Sequence, residues 1–284
     1  MRGGGCVRSG LPASMGVVAE WRPVAERIAE GLASDPAVVA VAVTGSVAGG
    51  RPVAGSDLDV FVYAESAGLA WRRSLAQRMA DPDHPVLIDV DPFGSGDVWR
   101  DRRSGIWIDL MHWSPGWAED QLDRVLVRHQ ASLGYTTAFW RSIATSEPVY
   151  ERDGWHPQLQ ARAGAAYPDE LAEAVVELNL PWLRRHPFSF RHQVAKAVER
   201  GDAVSLNHRL AAWMASYFDV LFAVNRVLHP GEKRMVEIAV QECPALPVGF
   251  VEDVHQVLAD PDPVARLDAM TERLEALVAR VASS

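Results

Sequence analysis

Cysteine is scarce in this chain of 284 residues. There are two, Cys6 and Cys243, and no pair has the spacing of a structural zinc site. Cys6 sits in a glycine-rich start, so a structural disulfide is not expected and a reducing compartment is the simple reading. Positive charge is also in deficit: 28 Lys and Arg face 37 Asp and Glu, a net charge of −9. Phosphate neutralisation dominates nucleic-acid affinity, so this balance argues against general nucleic-acid binding. No apolar run approaches the ~18–20 residues needed to span a bilayer, and Met1–Gly10 lacks the apolar stretch of a signal peptide. No G-x-G-x-x-G and no Gly-Lys-Ser/Thr follows a strand-like run, which removes the Rossmann and P-loop readings. A cytoplasmic protein without a membrane partner is the expectation.

What is present is an ordinary globular composition, 48% hydrophobic and 23% charged, enough for a real core. Residues 1–16 read as a disordered leader. Trp21, Val24, Ile28 and Leu32 recur at helical spacing and predict a helix over 17–32. Val38–Val43 is a short β-branched run, a buried strand. Alternation predicts strands over 57–63, 86–91 and 106–112, and a helix is expected over 71–79. Beyond Tyr150 no alternation of useful length remains. Leu206, Leu210, Met214, Tyr217, Leu221, Val224 and Leu228 mark a long helix with Asp202 at its N-cap, ended by Pro230-Gly231. A last helix follows from Val264 to Val281. Strands first and helices afterwards predict two domains, an α/β (α+β) domain over 17–150 and an all-α domain over 151–284.

The chemistry is concentrated early. In a strand over 57–63, Asp57 and Asp59 share one face while Leu58, Val60 and Val62 fill the other. Two such close anions call for a cation, and oxygen-only donors suit Mg²⁺ or Mn²⁺. Upstream, the first strand delivers Gly45-Ser46, with a glycine for close backbone approach and a hydroxyl for a phosphate. Either piece alone is weak, since Gly-Ser is a common turn and acids blunt sheet edges. For a further acid, Asp109 stands outward between Ile108 and Leu110, and Asp89 and Asp91 alternate outward in the same way. The histidines, including His84, His112 and His229, have no ligand spacing and read as non-catalytic. Trp107 and Trp113 flank Asp109 on its own face and could stack on a base or an acceptor. Arg100, Arg102 and Arg103 read as a solvated loop.

The stretch from Gly45-Ser46 through Gly55-Ser56-Asp57-Leu58-Asp59 resembles the signature of the polymerase-β-like nucleotidyltransferase superfamily, nearest to its aminoglycoside and lincosamide nucleotidyltransferases. The order helix, strand, Gly-Ser, Asp-x-Asp strand, later acidic strand is similar as well, over about the first 115 residues. Leu221–Arg234 looks like the helical half of bacterial members. The resemblance implies a small mixed sheet followed by a helical domain, and Mg²⁺-dependent transfer of a nucleoside monophosphate, AMP first among them, from ATP or another triphosphate to a hydroxyl. It implies Asp57, Asp59 and a third carboxylate, Asp109 by element order, as metal-binding and catalytic residues. Gly45, Ser46 and Ser56 would cradle phosphates, with a basic residue lent by the helical domain, Lys233 or Arg234 ahead of Lys196. The acceptor is expected to be a small hydroxylated molecule, an antibiotic foremost. The alternatives are AMP transfer to a partner protein, as in antitoxin-type relatives, and a nucleotide-binding pseudoenzyme. A homodimer is compatible with all three.

Overall fold

The computed structural model describes residues 13–53, 55–66, 68–90 and 94–283, the first eight of them by backbone alone. Two compact units emerge. One takes the chain to Glu119 together with Ser142–Arg162; the other comprises Asp120–Arg141 and Ala163–Ser284. The single division expected at 150 is therefore drawn differently, because the chain returns to the sheet after leaving it. The expected leader lies outside the described residues up to residue 12, and helix α1 already begins at Ala13 (Ala13–Leu32).

The first unit is a six-stranded mixed sheet in the order β3-β4-β5-β2-β1-β6. Its strands are β1 (Val38–Val43), β2 (Leu58–Ala64), β3 (Leu87–Val90), β4 (Gly96–Arg100), β5 (Trp107–Trp113) and β6 (Glu147–Glu151). Only β2 and β5 run parallel; the other neighbours are antiparallel. Between the first two strands lies a single turn, α2 (Gly45–Ala48), and α3 (Leu69–Met79) begins the crossover from β2 towards β5. The core forms on one face, as the spacing predicts: Val24, Ile28 and Leu32 of α1 and Leu75 of α3 pack with Val41, Val43, Leu58, Val60, Val62, Ile108 and Leu110.

The opposite face is less open than the alternation suggested. Phe61 and Tyr63, which follow Asp59 on its own side, are buried. Tyr63 packs on Trp155 of α6 (Trp155–Ala163), ring centroids 4.9 Å apart. A strand covered on both faces for part of its length carries polar residues only where cover ends.

Two strands escaped the reading. β4 directs Asp97 and Trp99 inward, both 1% exposed, so its core face contains a carboxylate and shows no apolar alternation. Arg72 of α3 holds that carboxylate with two hydrogen bonds, Nε to Oδ2 at 2.9 Å and Nη2 to Oδ1 at 2.6 Å. His112 Nε2 lies 2.9 Å from Oδ2, and the Asp89 amide donates to Oδ1 at 3.0 Å. Burial alone would raise the Asp97 pKa; these donors overcome it and hold the group at about 2. β6 carries Pro148, tolerable because it is an edge strand.

The second unit is helical. Besides the parts of α4 (Pro115–Leu126) and α5 (Ala138–Thr145) that belong to it, it contains α7 (Asp169–Leu183), α8 (Phe190–Glu199), α9 (Ala203–Val224), α10 (Met235–Glu242), α11 (Phe250–Ala259) and α12 (Val264–Ala282). The Asp202 side chain accepts from the Ser205 amide at 3.0 Å, the expected cap of α9. From Trp213 to Val224 every residue of α9 is buried, so the helix is a central strut and not a one-sided surface helix. It stops at Val224, well before Pro230. Arg226 adopts φ 56°, its amide donates to Ala223 O, and the Val227 amide donates to Phe222 O, which is a Schellman ending with arginine where glycine is usual. Asn225 then ties this end to Ala245 O at 2.9 Å.

Candidate active site

β1 ends at Val43, and the Thr44 amide donates to Asp59 O at 2.9 Å, tying the turn that follows to β2. Gly45 then adopts φ +66°. A Cβ on this residue would overlap Asp59 Oδ2 and lie 2.8 Å from Asp59 Cγ. Glycine is needed twice over: for the left-handed backbone and for the carboxylate resting against it. Gly45→Ala should therefore push the Asp59 carboxylate aside while leaving the buried strands in place. The expected result is an Asp59 carboxylate displaced by about 1 Å in the variant's crystal structure with near-UV circular dichroism unchanged; an unmoved carboxylate would refute the contact's importance.

Asp59 and Asp109 are paired residues across the parallel β2–β5 ladder. Paired residues share a face, so the two carboxylates stand side by side on the half-buried side of the sheet. Asp57 lies one residue before β2 begins, also half-buried. Among the described residues no group of three His, Cys, Asp or Glu is gathered for a metal. The arrangement is thus a pair of adjacent acids with a third nearby in sequence. Magnesium sites can use one or two carboxylates and complete their octahedron with water and other oxygen donors, so this donor set is of a kind that suits Mg²⁺.

The remaining predicted residues fall into place as follows. Ser46, half-buried, is the second residue of α2, and its carbonyl accepts from the Arg51 amide at 2.9 Å. Ser56 closes its own turn, its hydroxyl accepting from the Val53 amide at 2.9 Å. Asp89 is on the edge strand β3, with β4 and β5 between it and β2, and has φ 61°. Its carboxylate accepts from Ser95 Oγ at 2.6 Å and lies 3.4 Å from Arg72. Asp91 lies outside the described residues. Lys233 belongs to the helical unit and is exposed there, while Arg234 pairs with Glu237 at 2.8 Å. Trp113, on the Asp109 side of β5, stacks on Trp117 with centroids 4.2 Å apart and meets the edge of Phe61. Trp117 is 37% exposed. Sequence reasoning passed over Trp117 because a lone tryptophan in a helix start has no strand alternation to assign its face.

No protein-family model matches the chain, and no curated protein matches it. A solved structure that it resembles is a nucleotidyltransferase-like protein from Exiguobacterium sibiricum, 12% identical, with a TM-score of 0.44 over 92% of this chain and 75% of that one. Likeness at that level assigns no residue and no substrate.

Proposed function

We propose that the chain is a Mg²⁺-dependent nucleotidyltransferase that moves a nucleoside monophosphate, AMP first, from its triphosphate to a hydroxyl of a small molecule and releases pyrophosphate. The observation that carries this reading is the register of Asp59 with Asp109, reinforced by Gly45 against the Asp59 carboxylate. Two acids held side by side repel one another unless a cation joins them.

In this reading Asp59 and Asp109, with Asp57, would hold magnesium, which when bound supplies charge neutralisation at the transferring phosphoryl group. Asp109 takes the proton of the acceptor hydroxyl at a carboxylate oxygen. The new bond is acceptor oxygen to α-phosphorus, the bond broken is the α–β anhydride, and the electron pair leaves with pyrophosphate. Ser46 Oγ donates to a β- or γ-phosphate oxygen, and Gly45 lets the backbone approach closely. Positioning and electrostatics carry most of the rate in such transfers. The acceptor class we favour is a hydroxylated, cationic antibiotic, drawn by the excess of acids in the chain.

With two acids in register, a third just before β2 and, among the described residues, no group of three gathered for a metal, the metal should need the nucleotide. Calorimetric titration should give ATP binding with MgCl₂ present, at least 10-fold weaker binding in excess EDTA, and little Mg²⁺ binding without ATP. Tight Mg²⁺ binding by the nucleotide-free protein, or ATP affinity indifferent to EDTA, would overturn the assignment.

A further inference from the structure

The helical unit contains a cavity of about 840 Å³ whose walls are α9, α10 and α11. That volume lies within the range of small-molecule sites, ~300–1,000 Å³. Met214, Phe218, Met235, Val240, Val254 and Leu258 line it. Val240 and Leu258 are 50% and 59% exposed, so apolar surface is left open to solvent at the cavity and not sealed into the core. Met214 and Met235 supply adaptable, polarisable walls.

The polar groups of the lining define the occupant. The charges of Arg234 and Glu237 cancel, since the guanidinium grips the carboxylate at both oxygens, Nε to Oε2 and Nη2 to Oε1, each at 2.8 Å. Tyr135 and His255 also line the cavity, and among the described residues neither side chain makes a hydrogen bond. Tyr135 is steadied by an edge contact with the His229 ring, centroids 4.9 Å apart. Two of the lining residues, Tyr135 and Arg234, hold left-handed backbone at φ 57° and 59° without being glycine. Such positions cost energy and gather at ligand clamps. The Tyr135 conformation is enforced from below: the preceding Gly134 donates to Asn179 Oδ1 at 3.0 Å, and the following Thr136 donates from its amide and its hydroxyl to the buried Asp219.

We propose that this cavity is a binding site for a neutral, largely apolar small molecule carrying one or two hydrogen-bonding groups, which Tyr135 and His255 would meet. The proposal does not rest on nucleotidyl transfer and its test does not read activity.

Nile red, a neutral apolar dye, is titrated into the full chain and its fluorescence followed. The expected result is saturable binding of one dye per chain. Ala211→Trp and Val240→Trp, which place an indole in the cavity from exposed wall positions, should weaken it at least 10-fold. Val204→Trp, at an 82% exposed position of α9 outside the lining, should not. The methyl resonances of ¹³C-labelled Met214 and Met235 should shift with dye in the wild type. Neutral competitors should displace the dye, while size-matched carboxylates should be at least 10-fold poorer. Non-saturable binding, binding unchanged in both filled variants, or equal displacement by carboxylates would overturn the proposal. So would a dimer, seen by light scattering, that the dye dissociates, since the groove would then be covered by a second copy of the chain.

Discussion

Asp109→Asn should lower nucleotidyl transfer by about 10³-fold or more, and Asp59→Asn should do the same, while Asp89→Asn should stay within a few-fold of wild type. The contrast follows from strand order. Asp109 stands beside Asp59 on the neighbouring strand, whereas Asp89 sits on the edge strand β3 with β4 and β5 intervening before β2. Asparagine keeps the shape and removes the charge, so the fold should persist while the electrostatic hold on the phosphoryl group is lost. A loss of 10³ corresponds to ~4 kcal/mol of transition-state stabilisation, within the reach of one electrostatic group in a metal-assisted transfer. The assay is initial-rate kinetics with saturating triphosphate. An inactive Asp89→Asn beside a healthy Asp109→Asn would reverse the assignment.

The largest stability effect should come from a residue with no assigned part in the chemistry. Arg72→Ala leaves the Asp97 carboxylate, 1% exposed, without its two-pronged partner. Stranding a buried charge costs ~3–5 kcal/mol, which for a unit of this size is about 10 °C in Tm. The pH dependence has a definite sign. Asp97 is held at about 2 in the fold against an ordinary value of 3.8. Its ionised, hydrogen-bonded form therefore contributes stability above pH ~4, and that contribution fades as pH falls through ~2, a change of about 2 kcal/mol. The Arg72→Ala defect should be largest at neutral pH and shrink in acid, where Asp97 takes up its proton. The double variant Arg72→Met/Asp97→Leu should recover much of the loss, because no charge is then left buried. Thermal melts of the three proteins between pH 3 and 7 measure all of this; a wild-type Tm for Arg72→Ala would show that the pair is not holding the sheet edge.

How far the sequence could be read depends on whether each residue's neighbours in the chain reveal its face. α1 was legible because Trp21, Val24, Ile28 and Leu32 form an unbroken stripe, and all four are buried. The outward stance of Asp59 and Asp109 was legible because Leu58, Val60, Ile108 and Leu110 flank them. The same rule explains the misses. β4 buries Asp97, and a charge on the inner face erases the alternation. β6 has Pro148, which reads as a break yet is harmless at an edge. The end of α9 was set by Arg226 in left-handed backbone, and arginine gives no such warning. That Asp59 and Asp109 are partners in register is a property of the β2–β5 pairing, which no local pattern contains. The cavity of the helical unit is hidden for the same reason: its walls come from three helices, α9, α10 and α11, whose juxtaposition no local pattern contains.

The most direct measurement of the central claim is pyrophosphate release from each of the four nucleoside triphosphates with Mg²⁺, against a panel of hydroxylated antibiotics and nucleosides, with the Asp59→Asn/Asp109→Asn double variant alongside. Release should require both Mg²⁺ and an acceptor, be fastest with ATP, and be absent from the double variant. Release at the wild-type rate from the double variant, or tight Mg²⁺-dependent ATP binding with no release against any acceptor, would contradict that claim.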